Sequence, residues 1–169
     1  KKDESDTTKF YKICTSGGEA VLDFTVPALV NTIKQINDDE FLVLANFNRT
    51  KELEKIEKES KKEEDKKENK EKIYDDSKDY LVATEIPFWG NNIGFTNEDR
   101  SRLYHFNKKT SEFIPLSDDI TDIYGLELSE DKTKAVFIAT TFTGKMPLVN
   151  EVKILDIKTK TVDLLAKDY

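Results

Sequence analysis

Two stretches, LYHFNKKTSEFIPL (Leu103 to Leu116) and VKILDIKTKTVDLL (Val152 to Leu165), share one pattern at a spacing of 49 residues. Each holds an apolar-alternating strand, a polar turn rich in Lys and Thr, and a second strand. Such alternation marks a strand with one buried face. A second pair, QINDDEFLVLANF (Gln35 to Phe47) and ELSEDKTKAVFIATTF (Glu127 to Phe142), sets an acidic turn before a strongly apolar strand, at a spacing of about 92. With a unit of 49, the excess of about 43 is an insertion between these elements. The charged run KELEKIEKESKKEEDKKENKEK (Lys51 to Lys72) and its flanks fill that gap.

Short runs ended by turn residues predict strands near 10–15, 20–25, 29–36, 41–47, 80–86, 102–106, 113–116, 123–128, 135–142, 152–157 and 161–165. A period of roughly 40 to 50 residues with four strands per unit signals β-propeller blades. The expected fold is an all-β fragment of a β-propeller with about two four-stranded antiparallel blades. It comprises a tail hairpin of a preceding blade (10–25), a blade (26–116) with an insertion at about 48–79, and a following blade (117–169). Propellers close with roughly four to eight blades, so two and a half cannot close. Either the chain is cut from a larger protein or it assembles with copies of itself through open blade edges. A β-sandwich of about ten strands is the structural alternative.

The charged run carries nine Lys and nine Asp or Glu, so the net charge of −7 belongs to the rest of the chain. Good helix formers and the i,i+4 pairs Glu54/Lys58, Glu57/Lys61, Glu63/Lys67 and Glu68/Lys72 predict a solvated helix or a disordered excursion. Leu53 and Ile56 alone are too few to make a packing face. A lid over a neighbouring opening is the functional alternative. An acidic surface without a basic patch argues against nucleic acid. No apolar run approaches the roughly 20 residues of a membrane span, and the polar start KKDESDTTK is no secretion leader, so the expected compartment is the cytoplasm. If the chain is excised from a parent, the parent's own N-terminus is not visible in it.

Cys14 is the only cysteine, which excludes an internal disulfide and a cysteine zinc site; a buried small hydrophobe is expected there. His105, the only histidine, falls within the strand RLYHFN, opposite the face of Tyr104 and Phe106, and is expected to be an ordinary strand histidine. No Gly-x-Ser-x-Gly elbow is present. TSGGEA (Thr15 to Ala20) joins two strands and so predicts a turn between them. NDDE, SDDITD and SED lack the EF-hand spacing and are expected to be turns. The residues themselves therefore imply no catalytic group, metal or cofactor.

EIPFWGNNIGFTNEDRSRLYHFN (Glu85 to Asn107) resembles the segment Glu-x-Pro-aromatic-x-x-Asn-x-x-Gly-Phe, ending in Arg-x-x-Leu-Tyr, of the N-terminal propellers of the prolyl oligopeptidase family of serine peptidases. The match is to the acylaminoacyl-peptidase-like branch. TSGGEAVLDF is similar to an outer-strand turn of those propellers, and LSEDKTKAVFIAT to their Ser-x-Asp-Gly-Lys turn, although Gly is missing from EDKTK. The resemblance implies a non-catalytic propeller segment that limits access and helps position short peptides for a separate C-terminal α/β-hydrolase domain. It implies a substrate-facing loop in which Glu85 would hold a peptide amine, with Phe88, Trp89 and Asn91 beside it. The alternative is a TolB or WD40-like propeller that binds proteins and has no peptidase domain.

Overall fold

The computed structural model describes residues 6–53, 55–56 and 81–167. Among them lie twelve strands, joined into two four-stranded antiparallel sheets and two small hairpins. The outer hairpin pairs β1 (Thr8–Lys12) with β2 (Val21–Val26). The first sheet has the order β3 (Val30–Gln35), β4 (Glu40–Asn48), β7 (Asp99–Asn107), β8 (Glu112–Pro115). The second runs β9 (Thr121–Leu128), β10 (Lys134–Thr141), β11 (Glu151–Asp156), β12 (Thr161–Lys167). Between β4 and β7, β5 (Trp89–Gly90) and β6 (Gly94–Phe95) form a minimal hairpin.

Both large sheets are meanders in chain order, and no strand passes from one to the other. Alternation gives each strand two faces, and two cores follow. On one face of the first sheet, Phe41, Val43, Ala45, Tyr104 and Phe106 pack against Phe10, Phe24 and Val26 of the hairpin. Phe24 sits 4.8 Å from Phe10 and 4.9 Å from Phe41 between ring centres. On the other face, Leu42, Leu44 and Leu103 meet Ala135, Phe137, Ala139 and Leu155 of the second sheet. The first sheet is thus covered on both faces by β-structure.

The 49-residue repeat is visible in the backbone. Asn107 and Asp156, one repeat apart, each accept backbone N–H groups on Oδ1, from Lys109 and Thr110 in one turn and from Thr159 in the other. Each turn ends in a residue in the left-handed region, Ser111 at φ 58° and Lys160 at φ 59°. In EDKTK the left-handed position is held by Lys132 at φ 56°.

Several expectations need correction. Residues 81–84 form no strand, and Ile86 makes only an isolated parallel bridge to Lys145. Leu81 and Val82 alternate with nothing to pair against and are exposed. The connection between β4 and β7 therefore extends through residue 98, further than the expected end of the insertion. Cys14 is exposed, because β1 ends at Lys12 and leaves it in the 13–20 loop. The charged run starts as a helical turn at 49–53, where Asn48 Oδ1 accepts the Lys51 N–H at 3.0 Å as a cap. Leu53 and Ile56 are about half exposed. The rest of that run, its four i,i+4 pairs and the expected strand start at Tyr80 lie outside the described residues. Among the described residues no helix is long and apolar enough to cross a membrane.

Candidate functional site

Antiparallel meanders put alternate connections at opposite ends. One end carries the tight turns 36–39, 108–111, 129–133 and 157–160, together with the 13–20 loop. The other gathers the connections 27–29, 49–98, 116–120 and 142–150. A half-open cavity of about 830 Å³ lies at this loop end, within the size range of small-molecule sites.

The long connection is stitched at its base. Asn48 Nδ2 donates to the Asn97 carbonyl at 2.9 Å and to Asp99 Oδ1 at 2.6 Å. Buried Asn97 accepts the Thr84 N–H at 2.8 Å and donates to the Val82 carbonyl at 3.2 Å. Thr50 and Thr84 hydroxyls donate to the Glu98 carboxylate at 2.5 and 2.8 Å. The Thr50 bond, helped by Thr84 and the charge of Arg49, holds Glu98 below the usual carboxylate range despite some burial. Arg49 also pairs with Asp119 at 3.2 Å, tying this foot to the 116–120 loop.

At the cavity wall, Glu85 and Arg100 form a bidentate pair whose side chains are 6% and 4% exposed. Arg100 Nη1 donates to Glu85 Oε1 at 3.0 Å, Nη2 donates to Oε2, and the Glu98 N–H reaches Oε1 at 2.7 Å. The Arg100 guanidinium lies 3.9 Å above the Phe142 ring, a cation–π contact. Ile86 donates its N–H to Gly144 and accepts that of Met146, which fastens the 81–98 and 142–150 segments together. Two residues along the same face of β7, Arg102 gives its Nε–H to the Ser117 carbonyl at 2.9 Å and lies over Phe47 at 4.8 Å. Asp122 accepts the Ser101 N–H at 2.8 Å, and burial raises its pKa above the ordinary carboxylate value.

Of the four residues singled out from sequence, Glu85 alone lines the cavity. Both of its oxygens are engaged by Arg100 and by the Glu98 N–H. Phe88 and Trp89 are 44% and 61% exposed at the rim, and Asn91 is exposed in the β5–β6 turn. Pro87, Ile93 and Thr96 of the same stretch line the cavity instead. The sequence pattern gives no role to Arg100 or Arg102, and it places Asp122 in an expected turn, SDDITD, whereas Thr121 and Asp122 open strand β9. The signal available was Arg100, Arg102, Tyr104 and Phe106 at period two, placing two guanidinium groups on an aromatic strand face.

His105 lies at the opposite end of β7, buried, with Nε2 3.3 Å from Glu40 Oε1. Burial and the charge of Lys160 lower its pKa against the opposing pull of Glu40. No serine or cysteine hydroxyl or thiol is hydrogen-bonded to it among the described residues, so no nucleophile–base pair is assembled there. Among the described residues no group of three or more His, Cys, Asp or Glu is arranged to hold a metal ion. The loop end offers guanidinium donors beside an apolar wall. No protein-family model and no curated protein matches the chain.

Proposed function

We propose that the chain is a non-catalytic β-propeller segment, two successive blades behind the outer hairpin of a third, from a cytoplasmic serine peptidase of the prolyl oligopeptidase type. In this reading its loop end limits access to a separate α/β-hydrolase domain and helps position short peptides for it. The observation that carries the propeller part is the repeated stacking of meanders. Phe41, Val43, Ala45 and Phe106 face the hairpin, and Ala135, Phe137, Ala139 and Leu155 face the first sheet in the same way. Sequential strand order without crossing between sheets supports blades over a Greek-key sandwich. The peptidase part rests on the resemblance of Glu85 to Asn107 and is consistent with a cavity whose described lining holds binding groups but no serine or cysteine. Further copies of the chain, paired through the open β12 edge, are proposed partners of the isolated segment.

The test has two arms. The isolated chain should hydrolyse no peptide or ester and take no label from a fluorophosphonate probe; a labelled serine overturns the non-catalytic reading. The encoding frame beyond Tyr169 should carry Gly-x-Ser-x-Gly followed by Asp and His, and its absence from the full-length protein overturns the peptidase reading. A second reading, a TolB or WD40-like protein-binding scaffold, is favoured by the apolar rim. Ile86, Trp89, Ile93 and Leu148 are each more than 60% exposed around the same end, and exposed apolar patches mark interaction sites. Capture of a folded protein partner through this rim, lost in Trp89→Ser, would select that reading.

A further inference from the structure

We propose that the loop-end cavity holds the carboxylate of a small ligand with an apolar body, gripped by Arg102 and supported by the Arg100 Nε–H. Four cations line the cavity. Three are matched, Lys51 with Asp99 at 3.6 Å, Lys55 with Asp6 at 3.1 Å and Arg100 with Glu85. Arg102 has no carboxylate partner among the described residues. Its Nε is spent on the Ser117 carbonyl, its guanidinium lies over the Phe47 and Tyr104 rings, and it also hydrogen-bonds the Tyr104 side chain, which leaves only part of its Nη donors to an outside acceptor. A guanidinium presents paired donors in the geometry of a carboxylate.

Arg100 supplies the second observation. Its side chain is 4% exposed and its Nε has no hydrogen-bond partner. Buried donors left unpaired are rare in folded proteins. Arg100 and Arg102 are two residues apart on one strand face, about 7 Å along the strand, close enough to serve one ligand. Pro27, Leu29, Pro87 and Ile93 give the cavity an apolar wall for the ligand's body. Two carboxylates of the lining stay outside ion pairs. Asp122 spends Oδ1 on the Ser101 N–H, and burial raises its pKa above the ordinary carboxylate value. Glu52 is exposed on the helical turn and is the natural competitor for Arg102.

The proposal deepens the peptide-positioning reading by naming the group recognised, and it stands on separate observations. The carboxylate could belong to a free acid or to a peptide C-terminus. The test titrates the folded chain with 3-phenylpropanoate and its amide, and with Ala-Ala-Phe bearing a free or an amidated C-terminus, and follows binding by NMR of the arginine side-chain N–H groups. At least one acid should bind about tenfold or more tightly than its amide, with shifts at the Arg102 and Arg100 Nε–H signals. Which acid binds identifies the source. Arg102→Met should abolish the preference, and Arg102→Lys, which keeps the charge, should retain part of it. Glu52→Gln, on an exposed position, should tighten acid binding and leave the amides unaffected. Equal binding of acid and amide in both pairs rejects the carboxylate proposal while leaving the peptide reading standing. No acid binding at millimolar concentration to a folded chain rejects the proposal outright.

Discussion

The two large sheets carry matched rungs, and only one of them is covered. In the first sheet Leu42 opposes His105 and Leu44 opposes Leu103. One repeat on, Val136 opposes Ile154 and Ile138 opposes Val152. Leu42, Leu44 and Leu103 are 0 to 2% exposed because the second sheet lies over them. Val136, Ile138, Val152 and Ile154 occupy the same face of the second sheet and are only partly buried, with Tyr124 beside them 39% exposed. Three of the four positions are apolar in both sheets, His105 being the exception, so the pattern specifies a face to be covered. The neighbour decides whether it is.

The sheets also differ in length, and the largest effect is expected there. Arg102 lies one repeat before Glu151, where β11 begins, so the rungs of Asp99 and Arg100 have no strand counterpart in the second sheet. Glu85 holds them by pairing Arg100 and taking the Glu98 N–H. Glu85→Ala leaves a buried guanidinium unpaired and should cost about 3–5 kcal/mol. Amide exchange at Arg100 and Phe47 should accelerate beyond that at Leu44. If the loss appears without local fraying, the clamp is not what lengthens the first sheet.

Next in size is the contrast between the faces. Leu44→Ala removes a side chain sealed between two sheets and should cost about 2–5 kcal/mol in denaturant unfolding. Ile138→Ala, at the matching position, should cost about 1 kcal/mol or less in dilute solution. At high concentration the open face and the unpaired β12 edge should draw copies together, as sedimentation will show, and Ile138→Lys should weaken that association. An equal cost for both alanine variants in dilute solution, or a strict monomer at high concentration, breaks the comparison.

The sequence made the sheets legible because each strand buries one face or two against a neighbour, and burial imposes period two. It misled where the period existed without a neighbour. Residues 80–86 read as a strand, yet Leu81 and Val82 find no edge to pair with and stay exposed. β7 begins at Asp99, earlier than the strand expected from Arg102, for the complementary reason. Asp99 and Arg100 are charged and look like a turn, but ion pairing and a network through Asn97 and Glu98 make them strand residues. Glu85, Arg100 and Arg102 all lie in the stretch Glu85 to Asn107, yet sequence assigns the two arginines no role, because a charged residue in a strand reads as solvent-facing until its partners are known. The half-open cavity is lined from three connections distant in sequence, and local pattern cannot report that.

A pH comparison tests the rung that differs most in chemistry. His105 stands where the second sheet has Ile154, and burial lowers its pKa in the folded chain. The unfolded chain, with a histidine near pKa 6.5, therefore binds more protons. The stability contribution is complete above about pH 6.5 and is lost as pH falls from there through the lowered folded value. His105→Ile should flatten the stability profile in that window relative to the parent chain, with carboxylate effects at lower pH unchanged. An unaltered slope would mean that His105 is as free to protonate folded as unfolded.

The smallest effects belong to the turns, where the two sheets agree most closely. Ser111 and Lys160 hold φ 58° and 59° one repeat apart, and Lys132 holds φ 56° where a glycine turn is the common solution. A non-glycine residue in this region is strained by about 1–2 kcal/mol, and glycine's extra freedom in the unfolded chain returns about 0.5–1 kcal/mol of that. Ser111→Gly, Lys132→Gly and Lys160→Gly should therefore each stabilise the fold by about 0.5–1 kcal/mol. The matched pair should gain equally. Lys158→Gly, in the same turn as Lys160 but outside the left-handed positions, should instead destabilise it. If Ser111→Gly and Lys160→Gly differ in sign, the shared turn geometry does not reflect a shared energetic constraint, and the repeat is one of pattern alone.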